Sequence, residues 1–218
     1  MTISIRVDGK TIEAESGVSV LDACLENGIY IPHLCHIPGA EQPQASCRLC
    51  FVQLNDDEKP VCACTVRVAE NMEVTTDTPA VRRLQRSSLR LLLSVHDVDC
   101  KNCHANRKCE LQNIARFLKV GLKPKGLSVY LKETTVDESH PVLNHYPNRC
   151  VLCGRCLAAC EAKNGGRPGL ALARRGFDTV VSFYGFQEDG GGSCTDCTAC
   201  VEACPVGALQ LKATDSSI

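Results

Sequence analysis

Two stretches of this chain, CVLCGRCLAAC (150–160) and CTDCTACVEACP (194–205), repeat one arrangement of sulfur. Cys150, Cys153, Cys156 and Cys160 follow C-x2-C-x2-C-x3-C, as do Cys194, Cys197, Cys200 and Cys204, with Pro205 after the last. A single zinc ion takes four donors in a tetrahedron, commonly from two C-x2-C pairs brought from separate places. Three cysteines at x2, x2 spacing suit a cube instead, because each thiolate can reach a different iron of one 4Fe–4S cluster. The fourth cysteine then leads away on a helical turn toward a second cluster. The expected ligand sets are Cys150, Cys153, Cys156 with Cys204, and Cys194, Cys197, Cys200 with Cys160. The first run continues Cys160-Glu161 and lacks the proline. That keeps the ligand count and changes the local exit of the chain.

A second constellation is Cys35-x11-Cys47-x2-Cys50, followed by Cys62 and Cys64. Four thiolates suffice for a 2Fe–2S cluster. The spacing is not the plant-type C-x4-C-x2-C run, and by spacing alone Cys62 and Cys64 compete for the fourth place. A third constellation is His96-x3-Cys100-x2-Cys103-x5-Cys109. Its three cysteines lack a fourth, and the cysteines left over, Cys24 among them, lie far off in sequence. A nitrogen donor completing a 4Fe–4S site is therefore expected. His96 is the expected donor, at the end of a predicted helix that aims it at the cysteine loop. His104 is the rival, placed awkwardly beside Cys103. Cys24 and the unused partner of the Cys62/Cys64 pair are read as small, buried, inert side chains.

Composition fits these sites. The chain has 218 residues and 17 cysteines, an odd number that no closed disulfide framework uses up. The N-terminus, MTISIRVDGK, has no long apolar run and no small-residue cleavage site, so a reducing, cytoplasmic setting is expected. No stretch reaches the roughly 18 apolar residues of a membrane span. The net charge is −1, from 24 basic and 25 acidic residues, which provides no basic footprint for nucleic acid. There is no tryptophan, and the 44% hydrophobic content counts every cysteine. Bound metal is therefore expected to supply part of the folding free energy.

The elements that must position these residues can be read next. ISIRVDGKTIEA alternates as a hairpin around Asp8-Gly9. A helix follows, with Val20, Leu21, Cys24 and Leu25 on one face and Gly28 ending it. Thr78-Pro79 starts a second helix with an apolar stripe through Val81, Leu84, Leu91, Leu92 and Val95. A third runs from about Glu110 to Val120, with Leu111, Ile114, Phe117 and Leu118 inward. Residues 121–148 read as a connector with little regular structure. Between the cysteine runs come the turn NGGRPG (164–169), the strand-like FDTVVSFYGF (177–186) and the loop EDGGGS (188–193). No G-x-G-x-x-G or G-x4-GK[ST] phosphate loop occurs, so flavin and nicotinamide are not expected on this chain.

The segments YIPHLCHIPG, SCRLC, ACTVRV, HDVDCKNCHANRKCELQ and the double cysteine run together resemble a known family. It is the iron–sulfur module of the complex I large iron–sulfur subunit, of large [FeFe]-hydrogenases and of the small diaphorase subunit of NAD-reducing [NiFe]-hydrogenases. The resemblance covers about residues 1–212. It favours Cys64 over Cys62, through the context ACTVRV. It implies an α+β chain: a β-grasp 2Fe–2S domain at 1–78, a region at 79–135 with one His and three Cys ligands, and a ferredoxin-like two-cluster domain at 136–218. It also implies a hetero-oligomer with a flavin- and NAD(H)-binding partner and a catalytic partner such as a hydrogenase. The expectation is an electron relay with one 2Fe–2S and three 4Fe–4S clusters and no active site of its own. At this length no room is expected for a hydrogen-activating domain. The alternatives are the same relay in a formate dehydrogenase, transhydrogenase or acyl-CoA reductase complex, or a free-standing multi-cluster ferredoxin.

Overall fold

The computed structural model describes residues 1–55, 58–184, 194 and 197–213. Two compact units are present, one of residues 1–91 and 114–121, the other of 92–113 and 122–218. The middle region read from the sequence at 79–135 is therefore shared between them.

In the first unit, β1 (Thr2–Val7) and β2 (Lys10–Glu15) form the hairpin, with Ile5 opposite Ile12. Asp8 and Gly9 take φ of 48° and 80°, the positive values that a tight two-residue hairpin turn requires. α1 (Val20–Glu26) is capped by Ser19, whose hydroxyl accepts from Asp22 N at 3.0 Å. β3 (Phe51–Leu54), β4 (Val61–Cys62) and β5 (Glu73–Thr75) complete a five-stranded sheet in the order β2-β1-β5-β3-β4. β1 and β5 run parallel, and the other pairs are antiparallel. Ile5, Val7, Val52 and Val74 of the sheet share one core with Val20, Leu21 and Ala23 of α1. This is the expected β-grasp arrangement, and each of those larger buried side chains contributes roughly 1.5–3 kcal/mol.

α2 (Pro79–Ser94) begins as expected, with Val81 N donating to Thr78 Oγ1 at 3.2 Å. Its buried face differs from the expected stripe. Val81, Gln85 and Leu89 are buried, and Leu91 is 68% exposed. Gln85 Nε2 donates to the Phe51 carbonyl at 3.0 Å, and that bond fixes which side of the helix turns inward. α3 (Glu110–Phe117) stops before Val120, because Lys119 turns to φ 54°. Leu111, Ile114 and Leu118 are buried as expected. Phe117 is not: it meets Tyr30 edge-on at 4.9 Å, and the Arg82 guanidinium lies 4.6 Å from its ring centre.

The second unit contains β6 (Leu143–His145), α4 (Arg155–Lys163), β7 (Leu170–Ala173), β8 (Val180–Phe183), α5 (Ala199–Glu202) and β9 (Leu209–Leu211). β6 pairs antiparallel with β9, and β7 with β8. β6 lies inside the segment expected to be a plain connector; the rest of that segment is irregular. Of the turn expected at 164–169, residues 164–166 form a turn; of the strand expected over 177–186, the described residues 177–184 hold β8 after a short 3-10 turn, Gly176–Asp178. The loop EDGGGS lies outside the described residues. Leu143, Leu170, Val181 and Leu209 pack with Cys156, Cys160 and Cys200 in one core. No helix among the described residues is long and apolar enough to cross a membrane.

Candidate metal centres

In the first unit five sulfurs meet. Cys35 follows α1, Cys47 and Cys50 lie in the loop before β3, Cys62 is in β4, and Cys64 lies in the 3-10 turn Ala63–Thr65. All five are buried. The loop reaches this position through left-handed backbone at Ala45 and Arg48, with φ of 48° and 53°. Cys35 Sγ and Cys47 Sγ stand 3.4 Å apart. Cys50 hydrogen-bonds with both Cys62 and Cys64. Cys62, read as the rival of Cys64 and otherwise as a small, buried, inert side chain, is buried and touches Cys50, whereas Cys24 is a core residue whose thiol is pushed up to about 12 by burial.

The electrostatics of the group are those of crowded thiols sharing protons. The contact with Cys47 lowers the Cys35 thiol, and the contact with Cys50 lowers Cys62 and Cys64. Cys47 and Cys50 are raised, first by those same contacts and then by burial. Complete deprotonation would place several negative charges in an apolar interior, which is unfavourable without a cation among them. A soft thiolate set of this kind fits iron. A small pocket beside Cys35 and Cys64 is bordered by Ser19, Asp22, His36 and Arg67. His36 Nε2 lies 3.0 Å from Asp22 Oδ1.

In the second unit Cys100 opens a 3-10 turn, Cys100–Asn102, and Cys103 follows it, its N donating to Cys100 O at 3.3 Å. Cys109 precedes α3 and is buried, and its thiol is raised by burial and by the nearby Cys103 and Cys100. His96 lies just beyond α2. Its ring hydrogen-bonds the Arg149 backbone, and burial lowers its pKa to about 4. Nδ1 is buried and has no partner. A neutral imidazole with one nitrogen held by the backbone and the other unmatched has the form of a metal ligand. His104 is exposed and hydrogen-bonds Gln210.

The double cysteine run forms two recesses. One is lined by Cys150, Cys153, Cys156 and Cys204. The other is lined by Cys160, Cys194, Cys197 and Cys200. The helices cause this division. α4 directs Cys156 to the first recess and Cys160, one turn later, to the second. α5 directs Cys200 to the second, and Cys204 beyond its end to the first. Leu152 and Gly154, at φ of 51° and 77°, bend the chain ahead of α4.

Several donors point at these sulfurs. Leu152 N reaches Cys150 Sγ at 3.4 Å, Ala208 N reaches Cys204 Sγ at 3.2 Å, and Gly169 N reaches Cys160 Sγ at 3.2 Å. Asn164 Nδ2 adds a bond to Cys160 Sγ at 3.3 Å. Such bonds favour thiolate over thiol. Burial acts against them, pushing Cys150 up to about 12 and Cys200 up to about 11. A bound cation resolves that conflict, so these residues fit iron–sulfur clusters. No three His, Cys, Asp or Glu side chains converge on a single-ion site among the described residues; the sulfurs stand around recesses. Two lining residues carried no sequence signal: His145 borders the first recess and His140 the second.

Residues 1–79 match the 2Fe-2S iron-sulfur cluster binding domain, 85–122 the NADH-ubiquinone oxidoreductase-G iron-sulfur binding region, and 192–210 the 4Fe-4S binding domain. The chain is an iron–sulfur protein. It carries segments of both the 2Fe–2S and the 4Fe–4S kinds. It is 36% identical to a subunit of an NADH-quinone oxidoreductase of Rhizobium meliloti, over 95% of this chain and 24% of that one. It is 29% identical to the gamma subunit of the NAD-reducing hydrogenase HoxS of Cupriavidus necator, over 83% of this chain and 75% of that one. A chain from a crystal structure of an NAD+-reducing [NiFe]-hydrogenase in the H2-reduced state superposes with a TM-score of 0.82 and 29% identity. That match covers 99% of this chain and 90% of the other. The chain spans about a quarter of the length of several curated relatives, including the Rhizobium protein and the alpha subunit of a Geobacter sulfurreducens NADPH-Fe(3+) oxidoreductase.

Proposed function

We propose that this chain is the electron-relay subunit of a cytoplasmic NAD(P)H-linked oxidoreductase complex, with a flavin- and NAD(H)-binding partner on one side and a hydrogenase on the other. The observation that carries this reading is the end-to-end likeness to the chain of the NAD+-reducing [NiFe]-hydrogenase. Relatives such as a Bacillus subtilis putative formate dehydrogenase, 35% identical over 73% of this chain, favour a second reading, the same relay with another terminal enzyme.

In this reading Cys35, Cys47, Cys50 and Cys64 hold one 2Fe–2S cluster. His96, Cys100, Cys103 and Cys109 hold a 4Fe–4S cluster, and the two recesses hold one each. The clusters, when bound, supply one-electron redox chemistry. The chain's own part is to fix their places, exclude water and set their potentials. The N–H donors at Cys150, Cys160 and Cys204 stabilise thiolate charge, which raises potential. His96 brings a neutral ligand where the other sites have only thiolates, and this makes its site less negative. His96→Cys is expected to lower that potential, and an unmoved redox titration would count against ligation.

The test is anaerobic native purification through a tag on this chain, with mass spectrometry of what accompanies it. A flavoprotein with a nickel–iron pair supports the hydrogenase reading, and a flavoprotein with another dehydrogenase supports the second. The chain isolated alone, brown and stable, overturns both in favour of a free-standing ferredoxin.

A further inference from the structure

His145 is the last residue of β6 and is 1% exposed. Neither Nδ1 nor Nε2 has a hydrogen-bond partner. A neutral imidazole carries one N–H donor and one acceptor nitrogen. Buried polar groups are almost always paired, so an interior ring with both nitrogens unmatched needs an explanation.

The backbone holds this ring in place. His145 pairs with Leu209 across β6–β9, and it exchanges both backbone bonds with Asp137, at 2.9 and 2.7 Å. Phe183 stands edge-on to the ring at 6.1 Å. The ring borders two spaces. One is an open pocket with Lys132, Asp137 and Arg174 on its wall. The other is the recess of Cys150, Cys153, Cys156 and Cys204. Apart from His145, the side chains lining that recess are the four cysteines and apolar groups such as Val181, Val206 and Leu209. On that side, the side chains offer a ring nitrogen only sulfur.

We propose that His145 is a positioning residue for the redox group of this recess: its ring N–H is donated to sulfur there, a cysteine thiolate or a sulfide of the cluster. The inference rests on the cluster reading of the recess. A neutral imidazole has a single ring N–H to give to that side. A hydrogen bond to sulfur stabilises the added negative charge of the reduced state and raises the potential.

The experiment is an EPR-monitored redox titration of the holoprotein, its complex partners included where they co-purify. The signal of this recess is identified as the one altered by Cys204→Ser. His145→Phe removes the donor and keeps an aromatic ring; His145→Gln keeps a donor. His145→Phe is expected to change the oxidised-to-reduced ratio at the parent midpoint about tenfold toward oxidised, a lowering of about 59 mV for one electron. His145→Gln is expected to recover much of that shift, with the other clusters unmoved. Full cluster content with an unmoved midpoint in His145→Phe overturns this inference and leaves the cluster reading standing. No 4Fe–4S signal from this recess in the parent overturns the cluster reading itself. If His145→Phe does not assemble, pulsed EPR of the parent with 15N-labelled histidine decides. A weak histidine coupling on this signal supports the bond, and its absence overturns it.

Discussion

The sulfurs of Cys35 and Cys47 stand 3.4 Å apart in a buried loop. That is contact distance without a bond, since a disulfide closes to about 2.05 Å. The contact also favours the Cys35 thiolate, the form that attacks during oxidation. The protein stripped of metal is therefore expected to form a Cys35–Cys47 disulfide in air before other pairs. Peptide mapping without reductant checks this. Protein with its iron retained is expected to keep both positions free of the bridge. Random pairing among the cysteines would refute the prediction.

Cys62 and Cys64 both touch Cys50, yet they belong to different elements. Cys62 faces Phe51 across the β3–β4 pair. Cys64 sits in the following turn and shares a small pocket with Cys35. Cys62→Ala is expected to retain the 2Fe–2S absorption and EPR signal and to cost about 1 kcal/mol through lost packing. Cys64→Ala is expected to lose that signal. The opposite pattern would move the fourth ligand to Cys62.

Gly207 has φ of 69°, and a Cβ placed there would lie 2.6 Å from Ala105 Cβ. Backbone strain and overlap act together, and Ala105 has no flexible end to move aside. Gly207→Ala is expected to destabilise the second unit by about 1–3 kcal/mol. Denaturant unfolding measures this. Ala105→Gly in the same chain is expected to restore part of the loss, because it removes the overlap and leaves the strain.

Acid sensitivity has a definite sign. In the metal-free chain, His96 and His145 each fall from an ordinary 6.5 to about 4 through burial. Between those values the unfolded chain binds protons that the folded chain does not. Stability is therefore full above pH 6.5 and declines as pH falls toward 4. The denaturation midpoint is expected to drop over that window, with a shallower slope in His145→Phe. An equal slope in the variant would show that His145 is not among the groups taking up protons.

What could be read in advance was local. The Asp8-Gly9 turn, the Thr78 cap and the cysteine spacings each depend on a few neighbouring residues. The buried face of α2 was not legible, because LRLLL (89–93) offers leucine on nearly every side. The face is chosen by Gln85, a polar residue bonded to a strand 34 positions away. Phe117 follows the inward period of α3 and is held at the surface by Tyr30 and Arg82 instead. His145 reaches its recess through β6, a three-residue strand defined by pairing with β9, and His140 lies just ahead of that strand. A pairing that short and distant leaves no periodic trace.

The crossing of Cys160 and Cys204 between the two recesses also orders events during synthesis. A nascent chain that has released Cys160 has completed neither recess, since one waits for Cys194, Cys197 and Cys200 and the other for Cys204. Chains emerge from the ribosome N-terminal end first. The sulfur set of the first unit is complete once Cys64 is out, whereas the two recesses become complete only at Cys200 and Cys204, much later and within a few residues of each other. In the proposed cluster reading, the sites therefore become available in steps: the first-unit site at Cys64, the His96 site at Cys109, and a later pair that a stop before Cys194 would forfeit entirely.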